Sequence, residues 1–276
     1  MHRIRLRDCA DMKDFHDLRT PGLKRFKEER ICMNDNALEQ YIYVAECMTG
    51  MLKDLGFSLK KGMRILDFGC GEGEMVRAFT SLGYDAYGID IIDCPSLDPA
   101  HFRKIGFDPY VLPYEDDYFD FIFSSSVFEH VQNTEEALRE IYRVLKPSGA
   151  TLHSFPSPYR FLEAHIFVPF GGVLQSDAWL KLWAFLGVRN PFQKGLPWKE
   201  VYERNKGYCR DGINYYRYRE FRQIVLSVFG NIKVVTKAYF NNMPGGAARI
   251  GRKFPIPAYG KLFFFFREWV LFIRKK

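Results

Sequence analysis

The sequence has no CxxC pair, and its six cysteines (9, 32, 47, 70, 94 and 209) keep no regular spacing with its six histidines. That pattern excludes a zinc ribbon or a disulfide framework and predicts reduced thiols. No run approaches the roughly 18 apolar residues of a membrane span. Met1-His2-Arg3-Ile4-Arg5 lacks the apolar core of a signal peptide, so a cytoplasmic chain is expected. Internal repeats and low-complexity tracts are missing as well. Acid is scarce in one half only: residues 151–276 hold 7 Asp+Glu against 21 Lys+Arg, whereas residues 1–150 hold 26 against 19. The formal charge of +7 therefore joins an acidic first part to a cationic second part, which also carries all four tryptophans (179, 183, 198 and 269). A basic, aromatic surface suits an anionic partner, such as a small acceptor or the inner face of a membrane touched peripherally; a solvated basic face is the plainer alternative.

At 276 residues and 47% hydrophobic, the chain can bury one large core with an elaborated subdomain. Residues 1–30 are dense in both charges and read as an arm or short helices over the domain edge. From Asn36 to Leu55, apolar residues recur at three- and four-residue steps, predicting a one-stripe helix. After Gly62, strands (64–68, 85–89, 119–124, 150–155) alternate with helices (74–81, 134–145). Strands apolar on both faces predict a parallel sheet covered by helices. Residues 156–214 break the rhythm with prolines and short aromatic helices. Tyr218–Phe229 resumes as a helix, and Ile232–Phe240 is expected as a strand. Tyr259–Arg267 is then a packing helix and Trp269–Ile273 a final strand; a membrane-surface helix is the alternative for 261–276. The expected organisation is 1–59 arm and cover helix, 60–155 nucleotide-binding core, 156–214 helical substrate lid, and 215–276 completion of the core.

Chemistry concentrates at Asp67-Phe68-Gly69-Cys70-Gly71-Glu72-Gly73. Three alternate glycines between a strand and a helix let the chain turn with positive φ and let a ligand approach the backbone. Asp90 ends the next strand, where a carboxylate can grip a ribose. A dinucleotide fingerprint places its last glycine one residue later, and Glu72 and Glu74 would repel pyrophosphate while tolerating a sulfonium and an ammonium.

These residues resemble the first motif of the class I S-adenosylmethionine-dependent methyltransferases, in particular the type 11-like subfamily. The resemblance runs from about Lys60 to Phe155, through Tyr87–Ile91, Leu112–Asp120, Ser124–Val131 and Ala137–Gly149. It implies a Rossmann-like, doubly wound α/β fold: a mostly parallel seven-stranded sheet with an antiparallel final strand and a helical insertion after strand 5. It also implies S-adenosyl-L-methionine as cofactor. Asp67 would reach the cofactor ammonium, Gly69, Cys70 and Gly71 would line its methionine part, Asp90 would hold the ribose and Asp108 the adenine amino group, with Gly73 and Ile91 also in the cofactor site. Ser124 and Ser125 would close the site beneath the methyl group. Strand carboxyl ends are where open parallel sheets bind ligands, so the two arguments converge.

Methyl transfer to a hydroxyl also requires removal of a proton. His130, beside Glu129, leads the candidates on position, followed by His153, Glu163 and His165. Irregular spacing makes His153, Glu163 and His165 a poor metal set, and no metal is expected. Ser124-Ser125-Ser126-Val127 stands where nucleobase amino-methyltransferases carry an Asn-Pro-Pro-Tyr-like motif, and no Pro-Cys nucleophile exists, which argues against nucleic acid. Phe161, Phe167, Phe170, Trp179, Trp183 and Phe185, with Arg189, Arg204, Arg210, Arg217 and Arg219, suit a small or lipid-linked anionic acceptor such as a saccharide or lipid. The same segment could instead form a second core or a dimer surface. A scaffold that lost catalysis and a nicotinamide oxidoreductase are the remaining alternatives.

Overall fold

Short apolar runs form the central strands, which bury both of their faces, whereas the short edge strands are largely exposed. The computed structural model describes residues 35–106, 109–254 and 257–276, so the expected arm over 1–30 and Asp108 both lie outside the described residues. Strands β1 (Arg64–Phe68), β2 (Asp85–Asp90), β3 (Phe102–Lys104), β4 (Phe119–Ser125), β5 (Leu145–Pro156), β6 (Lys233–Val234) and β7 (Glu268–Arg274) make one sheet. Their order is β3-β2-β1-β4-β5-β7-β6, with β7 antiparallel to both of its neighbours.

Alternation along each strand sorts side chains into two layers. Leu66, Phe68, Ile122, Leu271 and Ile273 face helices α3 (Thr134–Val144) and α6 (Tyr218–Phe229). Ile65, Phe121, Phe123, Val270 and Phe272 face the layer of α1 (Asp35–Asp54) and α2 (Glu74–Ser81). Full burial of side chains such as Phe121 and Phe123 stabilises by about 1.5–3 kcal/mol each. On α1, the stripe is Tyr41, Ile42, Ala45, Met48 and Leu52, at the spacing its sequence predicts.

Between β5 and α6 the chain forms α4 (Asp177–Phe185), a 3₁₀ turn at Pro191–Gln193 and α5 (Trp198–Asp211). The two helices pack on each other. The strand expected over Ile232–Phe240 is wrong beyond Val234. Only Lys233 and Val234 pair, with Phe272 and Leu271. The chain then turns into α7 (Thr236–Asn242), because Phe240 packs tilted against Tyr259 and edge to face with Phe263, ring centroids 5.3 and 4.9 Å apart. Those rings belong to α9 (Pro257–Phe266), which α8 (Gly246–Lys253) precedes. Tertiary contact thus overrides the β-branched composition of this edge segment. None of the described helices is long and apolar enough to cross a membrane.

Candidate functional site

β1 delivers Asp67, buried at its penultimate position, into the glycine turn. Gly69, Gly71 and Gly73 have φ of 81°, 56° and 77°, the left-handed region that a Cβ disfavours. A Cβ on Gly69 would also stand 2.4 Å from Val127 Cγ2, so the loop after β4 seats directly on the glycine turn. The Gly69 and Cys70 N–H groups donate to the Ile89 carbonyl at 2.9 Å. Gly71 N–H donates to Asp90 Oδ2 at 2.7 Å, and Ile92 N–H to Asp90 Oδ1 at 3.2 Å. Asp90 therefore ties the end of β2 to the turn, with Ile91 half-buried beside it. The buried Cys70 side chain packs inward beside Gly88, where Val76 also lies.

This donor set fits the cofactor that the motif implies. Asp67 and Asp90 bring two carboxylates to the carboxyl ends of adjacent strands, beside a turn free of Cβ atoms, which suits a ribose and a cationic amino acid tail. Glu72 and Glu74 oppose a pyrophosphate at the start of α2.

The histidines separate into two environments. His153, on β5, is completely buried, with Ser124 Oγ 2.8 Å from Nδ1 and Thr151 Oγ1 2.5 Å from Nε2. Burial lowers its imidazole to about 3. Both nitrogens are thus engaged inside the sheet layer, and Ser124, expected beneath the methyl group, is buried with its hydroxyl turned to this histidine. Ser125 is exposed at the end of β4, its hydroxyl 3.5 Å from that of Ser154.

His130 and His165 instead meet, rings edge to face with centroids 4.8 Å apart. His130 stands in the loop after β4, its N–H donating to the carbonyl of the same Val127 that touches Gly69. Its Nδ1 lies 2.6 Å from the Gly212 carbonyl, and the side chain is 36% exposed. A tight turn places Glu163 and His165: Glu163 N–H donates to the Val168 carbonyl, and Phe167 N–H returns to the Glu163 carbonyl, with Phe167 and Phe170 held at positive φ. The Glu163 carboxylate accepts from the His165 and Ile166 N–H groups, from Tyr215 Oη, and from His165 Nδ1 at 2.8 Å. Burial opposes its ionisation, yet the His165 imidazole and these N–H groups hold it down to about 2. Burial likewise lowers His165, but Glu163 more than offsets this and the net direction is upward.

Glu129 is the residue that the sequence reading left out of the site. Its carboxylate is wholly buried, and neither oxygen has a hydrogen-bond partner among the described residues. Burial pushes it up to about 7. His130 Nε2 lies 3.8 Å from Glu129 Oε1, and Glu129, His130 and His165 place donor atoms within 4.8 Å of one another. Asn214 fastens the loop after β4 to the stretch following α5, donating through its N–H to Glu129 O and through Nδ2 to the Val131 and Gln132 carbonyls. Adjacency of Glu129 and His130 was the available signal.

Three of the five arginines expected to bind an anion are engaged elsewhere. Arg189 donates to the carbonyls of Ala184, Val188 and Leu196, while Arg204 and Arg210 pair with Glu200 and Asp211.

A model of the methyltransferase-domain family matches residues 42–226, well over half of the chain. The rat mitochondrial ubiquinone biosynthesis O-methyltransferase is 34% identical over 155 residues, covering 51% of this chain and 39% of that protein. Phosphoethanolamine N-methyltransferase 2 of Caenorhabditis elegans is 32% identical over 103 residues, covering 34% and 24%. A ubiquinone/menaquinone biosynthesis C-methyltransferase of Vibrio parahaemolyticus is 27% identical over 143 residues, covering 43% and 54%. The chain thus matches between about a quarter and half of the length of these relatives. With the family match extending from α1 across the glycine turn and the His130–His165 cluster into α6, the chain belongs to the class I S-adenosylmethionine-dependent methyltransferases, and S-adenosylmethionine is its cofactor.

Proposed function

We propose that the chain methylates a hydroxyl of a small or lipid-linked acceptor, a saccharide or a lipid-like molecule. The observation that carries this reading is the convergence of Glu129, His130 and His165 one loop away from the glycine turn, linked to it by the contact of Val127 with Gly69. An amine with a free lone pair needs no such group; a hydroxyl does, because its oxygen must shed a proton as the new bond forms. Relatives that act on oxygen, nitrogen and carbon leave this choice to the site itself.

Bound at the glycine turn, S-adenosylmethionine supplies an electrophilic methyl group on a positively charged sulfur. Asp67, the loop backbone and Asp90 orient it, and Val127 covers the turn. Glu129, His130 and His165 receive the acceptor hydroxyl. Glu163 acts through His165, fixing its ring by the Nδ1 bond. His153, with both nitrogens engaged, stays outside this machinery. The exposed Phe161, Phe185, Leu186 and Phe192 offer apolar area for an acceptor with a hydrocarbon part, or for peripheral contact with an anionic membrane.

Calorimetry with S-adenosylmethionine, S-adenosylhomocysteine and NAD, followed by labelled-methyl transfer to fractionated metabolites, tests the reading. Binding of the first two, and label released from the product only by ether or ester cleavage, is expected. Label in an amine, or preferential NAD binding abolished by Asp90→Ala, overturns it.

A further inference from the structure

We propose that Glu129, His130 and His165 form a binding site for a first-row divalent cation of the zinc type, bridging the loop after β4 to the turn that follows β5.

The first argument is the unsatisfied carboxylate. Buried polar atoms are nearly always hydrogen-bonded, and an isolated buried carboxylate costs several kcal/mol. Glu129 has a side chain 0% exposed, with neither oxygen hydrogen-bonded among the described residues. Its neighbour His130 is too far, at 3.8 Å, to satisfy it with a hydrogen bond. A cation satisfies both oxygens and their charge at once.

The second argument is the direction of the histidine protons. A carbonyl oxygen only accepts, so Gly212 O fixes the proton of His130 on Nδ1. The Glu163 carboxylate, which also takes the His165 and Ile166 backbone N–H groups, accepts from His165 Nδ1 at 2.8 Å and holds that ring's proton there in the same way. Each ring then presents a lone pair at Nε2. One ring nitrogen held by a carbonyl or carboxylate while the other turns to the metal is the arrangement that orients metal-ligating histidines. His153 shows the contrast, with a hydroxyl on both nitrogens.

The third argument is distance. Donors each about 2.1 Å from a zinc-type ion lie about 3.4 Å apart at the tetrahedral angle. Ligand atoms within 4.8 Å of one another need at most about 1.4 Å of closure, which the 36%-exposed His130 side chain can provide. Two imidazoles and one carboxylate select a zinc-like ion over magnesium or calcium, which prefer oxygen donors.

Three protein donors leave room for a fourth ligand. The cation's role there rests on the hydroxyl-transfer reading above, whereas its binding does not. With the acceptor hydroxyl as fourth ligand, the cation acidifies it and its proton passes to solvent. The oxygen lone pair then forms the O–CH3 bond while the S–CH3 bond breaks, its electron pair remaining on sulfur.

The test uses the untagged full chain, stripped with a chelator and titrated with Co²⁺ in a spectrophotometer, then with Zn²⁺ as competitor. One Co²⁺ per chain, displaced by Zn²⁺, is expected. Glu129→Gln and His165→Ala should each weaken binding at least ~10-fold, and Glu163→Gln about 10–100-fold although it removes no ligand. Retained S-adenosylmethionine affinity certifies that each variant is folded. Absence of stoichiometric binding by the wild type overturns the proposal, as does binding that Glu129→Gln, His130→Ala and His165→Ala all leave within about twofold. If His130→Ala abolishes turnover while the wild type binds no cation, the cation proposal fails and the hydroxyl reading stands.

Discussion

The half of the chain around the glycine turn and the segment between β5 and α6 solve different problems by different means. Around residues 60–155, backbone does the work: positive φ at Gly69, Gly71 and Gly73, N–H groups tied to Ile89 and Asp90, and strands buried on both faces. Over residues 156–214, side chains do it: Glu163 gathers four donors, Asn190 caps the 3₁₀ turn and donates to the His165 carbonyl, and large apolar side chains stay exposed. The contrast sets a turn built from backbone, which fits the methyl donor, beside a segment built from side chains, which the proposed reading gives to the acceptor.

The largest expected effects separate these two roles. On the proposed hydroxyl-transfer reading, His130→Ala should lower turnover by about 10²–10³-fold while leaving cofactor affinity within about threefold. Single-turnover kinetics beside calorimetry measures both; a variant that loses cofactor affinity instead would move His130 to the donor side. Gly69→Ala should do the reverse. Its φ of 81° and the 2.4 Å approach to Val127 predict about 3 kcal/mol of destabilisation and a loss of cofactor affinity, read by urea unfolding and calorimetry. An alanine variant of native stability would show that the turn is not constrained as described.

The same contrast explains what could be read from sequence. Period and glycine spacing are local, so β1, α2, β2, β4, α3, α6 and the turn at 67–73 emerge where expected, whereas the seven-stranded sheet with its antiparallel last strand was expected from the family resemblance. At the sheet edge the signal fades: two residues of pairing cannot hold Ile232–Phe240 extended once Phe240 finds the α9 aromatics. The three-residue β3 is too short for a period to show. The acceptor side was legible as residue types and not as an arrangement. Glu129 and His130 meet His165 across more than thirty residues of chain, and nothing local tells a buried His153 from a converging His165. One clue stood in Thr151-Leu152-His153, since alternation puts Thr151 and His153 on the same face.

That distinction has a pH signature. His153 is held at about 3 by burial, against 6.5 for an unperturbed histidine. Between those values the unfolded chain takes up the proton and the folded chain does not. The stability tied to neutral His153 is therefore complete above about pH 6.5 and falls by about 1.4 kcal/mol per unit as the pH drops toward about 3. Glu129, raised to about 7 from 4.5, acts oppositely, its contribution falling as pH rises across that window, so the wild-type curve alone hides the effect. The difference in unfolding free energy between wild type and His153→Gln should shrink by about 2–3 kcal/mol from pH 6.5 to pH 4.5. A difference that stays constant with pH would mean that His153 is protonated in the fold.

The smallest expected effect on stability tests the outer surface of the second region. Phe185 ends α4 with 68% of its surface exposed and meets Trp198 edge to face at 6.0 Å. Lys199 lies over the Trp198 ring, and Lys181 over that of Tyr202 on the same helix, so cations flank the apolar patch. An exposed side chain buries little, and Phe185→Ser should change unfolding free energy by no more than about 0.5 kcal/mol. If the patch meets a hydrocarbon acceptor or an anionic membrane, the same change should reduce co-sedimentation with anionic liposomes. Salt should weaken that binding in the wild type, because the exposed lysines act through screened charge. Liposome binding that is absent at low salt would assign the patch to the acceptor alone, and the KM for that acceptor would then rise in Phe185→Ser with kcat little changed, as expected for contact made equally before and during transfer.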